Sequence, residues 1–114
     1  MHGIVLTQGT PDRCLRAYPA AEFEKTAANY MSSPITTSEG RLLRRNFFSA
    51  AHDTELDRLG RVLIPQTLRQ FAALTGQVVV SGAAEAIEIW DAAAYAAKLA
   101  EEEAAYRKTL GADE

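Results

Sequence analysis

The sequence is poor in cysteine and histidine, and it has no long apolar run. Its one cysteine, Cys14, excludes an intrachain disulfide framework and a multi-cysteine zinc site. The expected role of Cys14 is a small buried strand residue in a reducing cytosol. The two histidines, His2 and His52, combine with Cys14 into no familiar zinc spacing, so no metal and no cofactor is expected. No apolar stretch approaches the ~20 residues that cross a bilayer, and no membrane partner is expected. The opening "MHGIVLTQGT" has only a few apolar residues and no charged leader, and it reads without a signal peptide. Between Arg41 and Arg69 there is no lysine at all.

What is present fits one compact domain. The chain has 114 residues, 47% hydrophobic and 24% charged, the balance of a globular protein. The net charge of −3 speaks against a generic polyanion binder, but its distribution is uneven. Residues 1–40 carry −1, residues 41–69 carry +3, and the stretch from Glu85 onward carries −5. All six bases of the middle segment are arginines (Arg41, Arg44, Arg45, Arg58, Arg61 and Arg69), the side chain suited to bidentate phosphate or guanine contacts.

The chain reads as short strands and helices. "GIVLTQG" and "CLRAYP" are strands around a turn, and Pro19 opens a helix over "AAEFEKTAANYM" with Ala20, Phe23, Ala27 and Tyr30 on one stripe. "ITTSEG" is a polar linker. "RLLRRNF" is a short helix with Leu42, Leu43 and Phe47 inward, and "FSAAHDTEL" alternates as a half-buried strand with His52 beside Leu56. "DRLG" is a bend in which Gly60 takes a positive φ, and "RVLI" is the returning strand. Pro65 opens another helix, with Leu68, Phe71 and Leu74 apolar and Gly76 as its C-terminal cap. "QVVVSG" and "AIEIW" are strands joined at "AAE". Asp91 then caps a last helix on which Tyr95, Leu99, Tyr106 and Leu110 share a face and Glu103 pairs with Arg107.

Strand, turn, strand, helix therefore occurs twice, and only the second copy is preceded by an extra bend and short helix. Tyr18 and Trp90 end the matching strands, where core packing is expected.

Few residues suggest chemistry. Ser49, His52 and Asp53 lie close in sequence, but on one strand Ser49 and His52 point to opposite faces, so no triad and no enzyme is expected. Glu101 to Glu103 read as a solvated helix face or a dock for a neighbour's arginines. Arg41, Arg44 and Arg45 read as a solvated face, ion-pairing residues or phosphate contacts. Arg69 reads as an exposed residue. Asp57 can accept N–H groups of the bend and fix it, with Arg61 just past Gly60. Taken alone, this is an Asp–Arg pair holding a turn, or a loop presenting Arg58 and Arg61 to phosphates or base edges.

"ELDRLGRVLIPQTLRQFAAL", "VVVSG" and "IEIWD" resemble the second half of the MraZ family of bacterial transcriptional regulators, built from two swapped-hairpin modules of the AbrB type. "CLRAYP" with "EFE" resembles the end of its first half, and "RLLRRNFFSAA" its mid-chain helix and strand. Each half of the family carries Asp-x-x-x-Arg; the resemblance makes Asp57 to Arg61 the second copy and implies a first half without its first hairpin. The resemblance implies an α+β, AbrB/MraZ-like swapped-hairpin β-barrel fold, short hairpins covered by helices, with an incomplete first repeat. The expected division is 1–37 for the remainder of the first repeat, 38–92 for the second and 93–114 for a C-terminal helix and tail.

It also implies a cytoplasmic, nucleoid-associated repressor. This would bind tandem repeats of DNA at the promoter of the division and cell-wall gene cluster, and form a homo-oligomeric ring. Arg58 and Arg61, then Arg44 and Arg45, are the expected DNA contacts, with Asp57 and Gly60 shaping the loop. The alternative is a subunit that co-assembles with full-length protein without binding DNA.

Overall fold

A computed structural model of the chain describes residues 3–10, 12–32, 35–83 and 86–110. His2 and the "GADE" end lie outside them, as does part of the turn at "AAE". The elements run β1 (Gly3–Gln8), β2 (Leu15–Pro19), α1 (Ala20–Met31), α2 (Ser38–Ser49), β3 (His52–Glu55), α3 (Gln66–Phe71), β4 (Val78–Ala83), β5 (Ala86–Asp91) and α4 (Ala92–Leu110). The expected α+β class holds: one five-stranded sheet of order β3-β1-β2-β5-β4, antiparallel throughout, with helices on its faces.

Alternation along the strands divides the side chains between two layers. On one face Leu6, Leu15 and Ile89 meet Leu68 and Ala72 of α3, with Val62, Ile64, Phe71 and Leu74 packed around them. On the other face Tyr18, Phe47 and Ala86 are buried with Phe23 and Ala27 of α1. There Phe23 and Phe47 stack at 5.0 Å, and Tyr18 meets both rings edge-on. Thr7 is fully buried on this face and donates its hydroxyl proton to the Phe47 carbonyl at 3.1 Å, which removes the penalty for burying it. Glycine is required at position 9, where a Cβ would sit 2.6 Å from the Cys14 sulfur. Burial pushes the Cys14 thiol up to about 11, so it stays protonated and inert at neutral pH.

The two hairpins, β1–β2 and β4–β5, are related by a pseudo-twofold axis. Tyr18 and Pro19 lead into α1 as Trp90 and Asp91 lead into α4, and Ile4 faces Pro19 as Val78 faces Asp91. The axis passes through the pair Arg16–Glu88, the centre of the β2–β5 register. Glu88 accepts the Trp90 indole N–H at 2.9 Å there and forms an ion pair with Arg16 Nη2 at 3.7 Å. The symmetry fails in the covering layer. Leu6 and Leu15 are 0% exposed beneath α3, while their equivalents Val80 and Ile87 are 63% and 44% exposed.

Several local expectations are corrected. The helix expected over "AAEFEKTAANYM" forms as α1, but Pro19 is the last residue of β2 and not the first of the helix; the side chain of Tyr30 lies outside the described residues. α2 begins at Ser38, within the stretch read as linker, because Thr37 caps it by accepting the Gly40 N–H at 3.0 Å. Gly40 and Phe47, two turns apart, are the residues α2 buries, so Leu42 falls off the stripe at 50% exposed. The strand read across "FSAAHDTEL" shrinks to His52–Glu55, since Phe48 and Ser49 complete α2. At this sheet edge His52 is exposed rather than packed beside Leu56.

"RVLI" forms no ladder, yet its alternation survives: Val62 and Ile64 pack on the core while Leu63 is 80% exposed. α3 ends before Gly76; Ala73 takes the left-handed conformation at φ 53°, and the Leu74 N–H closes onto the Arg69 carbonyl at 2.9 Å. On α4 the Asp91 cap and the Glu103–Arg107 pair form as expected. The expected apolar stripe, however, stays uncovered beyond the half-buried Tyr95. The helix, about 28 Å long at 1.5 Å per residue, outruns a six-residue strand.

Candidate nucleic-acid interface

The loop from β3 to α3 is built around one carboxylate. Asp57 Oδ1 accepts the Leu59 N–H at 2.9 Å and the Arg61 N–H at 2.8 Å, and Oδ2 accepts the Arg61 Nε–H at 2.8 Å. The backbone closes the same bend: the Asp57 N–H donates to the Arg61 carbonyl and the Gly60 N–H to the Asp57 carbonyl. Gly60 permits the reversal with φ +78°, the positive value expected of it. The Arg61 backbone N–H, then its guanidinium and the Leu59 N–H, hold the Asp57 carboxyl below its ordinary range. Asp57 therefore remains a carboxylate at any physiological pH, and the loop keeps its shape.

This clamp aims Arg61. Its Nε is held against Asp57, while its side chain remains 73% exposed. The two terminal nitrogens are the end of the guanidinium that recognises phosphate or a base edge. Arg58 stands exposed on the same bend. Leu59 and Leu63, 75% and 80% exposed, flank the arginines. Sequence reading passed over them, although their alternation with Val62 and Ile64 was the available signal.

The structure gathers further arginines on the α3 layer. Arg69 is exposed in the last turn of α3. Arg13, from the β1–β2 turn, lies over the Phe71 ring with its guanidinium carbon 5.1 Å from the centroid, and reaches the Phe71 carbonyl at 3.5 Å. No spacing in the sequence announces Arg13, because the sheet pairing brings it there. Arg58 and Arg61 thus stand before the start of α3, with Arg69 and Arg13 near its end.

Arg44 and Arg45 are placed elsewhere. They lie on α2, which packs on the opposite face of the sheet, and Arg44 Nη1 donates to the Met31 carbonyl at 3.3 Å. Arg41 is turned toward the Ile35 carbonyl at 2.7 Å. Ser49, His52 and Asp53 do not converge: Ser49 ends α2 with its hydroxyl donated to the Arg45 carbonyl, and His52 and Asp53 are successive residues of β3. Among the described residues no helix is long and apolar enough to cross a membrane.

Comparison with known proteins gives the family. A family model described as "MraZ protein, putative antitoxin-like" matches residues 47–111, which span the loop, α3, the second hairpin and α4. The "Transcriptional regulator MraZ" of Salinispora arenicola is 45% identical over 101 residues, covering 89% of this chain and 70% of that protein. Proteins of the same name from Micrococcus luteus and Roseiflexus castenholzii are 41% and 48% identical, covering 94% and 77% of this chain and 74% and 61% of their own lengths. With a model match over more than half its length and relatives of this similarity, the chain belongs to the MraZ family.

Proposed function

We propose that this chain is a sequence-specific DNA-binding transcriptional repressor. The observation that carries the reading is the Asp57 clamp, which fixes Arg61 by its Nε and leaves the fork of the guanidinium outward beside Arg58. In this reading Arg58 and Arg61 touch phosphates or base edges, and Arg69 and Arg13 extend the positive surface along α3. Arg44 and Arg45, across the sheet, contribute only if DNA wraps around the subunit. The names of the relatives, transcriptional regulators, support the regulatory role.

The finer parts of the proposal are a promoter site made of tandem repeats in the division and cell-wall gene cluster, and a ring of subunits in the nucleoid. A single loop with two leading arginines binds weakly, and repetition around a ring raises affinity by effective concentration. In this reading residues 38–92 form the DNA-facing repeat, 1–37 the remainder of the first, and 93–114 a C-terminal helix and tail.

The test is binding to labelled tandem promoter repeats across a salt series, for the natural chain and for Arg58→Ala with Arg61→Ala. The double variant is expected to lose roughly tenfold or more in affinity, with the salt slope falling by about 0.9 for each phosphate contact removed. Equal affinity for the two proteins sinks the site assignment, and binding indifferent to salt sinks the phosphate contacts.

A further inference from the structure

The bend that carries Arg58 and Arg61 also carries an apolar side chain that the fold does not use. Leu59, between Arg58 and Gly60, is 75% exposed. It joins neither core layer, whereas Val62 and Ile64, a few residues on, pack against the layer beneath α3.

The position of Leu59 is set within the bend itself. Its N–H is held by Asp57 Oδ1 at 2.9 Å, the Gly60 N–H by the Asp57 carbonyl at 3.0 Å, and Gly60 turns the chain at φ +78°. The same carboxylate holds the Arg61 Nε at 2.8 Å. One residue, Asp57, therefore fixes a cation and an apolar tip relative to each other. Where such a bend meets DNA, the arginines have phosphates and polar base edges as partners, and a leucine has neither. The apolar group that the major groove displays is the 5-methyl of a pyrimidine, carried by thymine and by 5-methylcytosine. A side chain on a backbone already fixed before contact meets that methyl at little cost in ordering.

We propose that Leu59 is a specificity-determining residue, which packs on the 5-methyl group of one pyrimidine beside the contacts of Arg58 and Arg61. The inference rests on the DNA-binding reading above and adds to it a base feature read by apolar contact. Arg58 and Arg61 supply the salt-dependent part of the affinity, and Leu59 supplies a part that depends on a single methyl group and not on salt.

The experiment uses the whole chain and the tandem promoter repeats. One position at a time, in every repeat, thymine is replaced by uracil or cytosine by 5-methylcytosine, so that only a methyl group changes. Affinity across a salt series is measured for the natural chain, Leu59→Ala and Leu59→Met. The natural chain is expected to lose about fourfold per repeat when one particular thymine becomes uracil, or to gain as much when one particular cytosine is methylated, the contribution of one methyl group removed from water. The first response names thymine as the base and the second 5-methylcytosine. Leu59→Ala is expected to bind the paired DNAs alike while keeping the natural salt slope, because the arginines are untouched, and Leu59→Met to keep the discrimination. Discrimination that survives Leu59→Ala overturns the assignment. Salt-dependent binding by the natural chain that is indifferent to every methyl change overturns it too and leaves the arginine contacts standing. If Leu59→Ala then still weakens binding, the tip is a wedge between base steps instead. A natural chain that binds none of the repeats overturns both this assignment and the reading beneath it.

Discussion

Leu6 and Val80 occupy equivalent places in the two hairpins, yet truncating them to alanine is expected to have very unequal costs. Leu6 is 0% exposed, enclosed by Leu15, Leu68, Ala72 and Ile89. Leu6→Ala removes buried methyl groups and leaves a cavity that α3 cannot fully close, at a cost of about 3–5 kcal/mol. That is a large part of the roughly 5–15 kcal/mol that holds a domain of this size together. Val80 is 63% exposed, and Val80→Ala removes surface that is already wet. Its cost is expected within about 0.5 kcal/mol. The assay is urea unfolding at submicromolar protein, dilute enough to keep association out of the comparison, with the midpoint and slope fitted together. Costs for the two variants within about 1 kcal/mol of each other would refute the reasoning. They would mean either that α3 does not seal Leu6 or that Val80 has a cover of its own.

Two further outcomes follow from local geometry. Ala73 holds a left-handed conformation that disfavours any side chain with a Cβ, so Ala73→Gly is expected to raise stability by about 0.5–1 kcal/mol in the same unfolding assay, and a loss of stability would contradict it. The lowered Asp57 carboxyl favours the ordered loop at pH above the ordinary carboxylate value of 3.8, and that contribution is lost as pH falls through the depressed folded value. The Leu59 and Arg61 amide resonances should therefore keep their positions to below pH 3.8; a midpoint above it would contradict the clamp.

Much of this molecule is legible in its sequence, and the limits have physical causes. The hairpins and the helices after them follow from alternation and from punctuation at Gly9, Pro65 and Asp91. The Asp57 bend is readable because one carboxylate, a glycine and an arginine at fixed spacing suffice to build it, with no help from the rest of the fold. The extent of α2 was missed because a single threonine cap at Thr37 outweighed the polar look of "ITTSEG". "RVLI" kept the side-chain alternation of a strand without a partner strand, and periodicity reports burial rather than hydrogen bonding. Arg13 joined the α3 surface through pairing between distant segments, which no local pattern encodes.

The Arg16–Glu88 pair also bears on how quickly the chain can fold. Each hairpin closes over a short turn, but the β2–β5 seam joins residues about 70 apart, and β3 returns to β1 over about 50. Helices and hairpins of this length form in microseconds, whereas contacts between remote segments must first meet the entropy of closing a long loop. The seam is therefore the slow event, reached by two half-sheets that are already shaped. Until it closes, β2 and β5 are edges too, and the newly made chain has more open strands than the finished one.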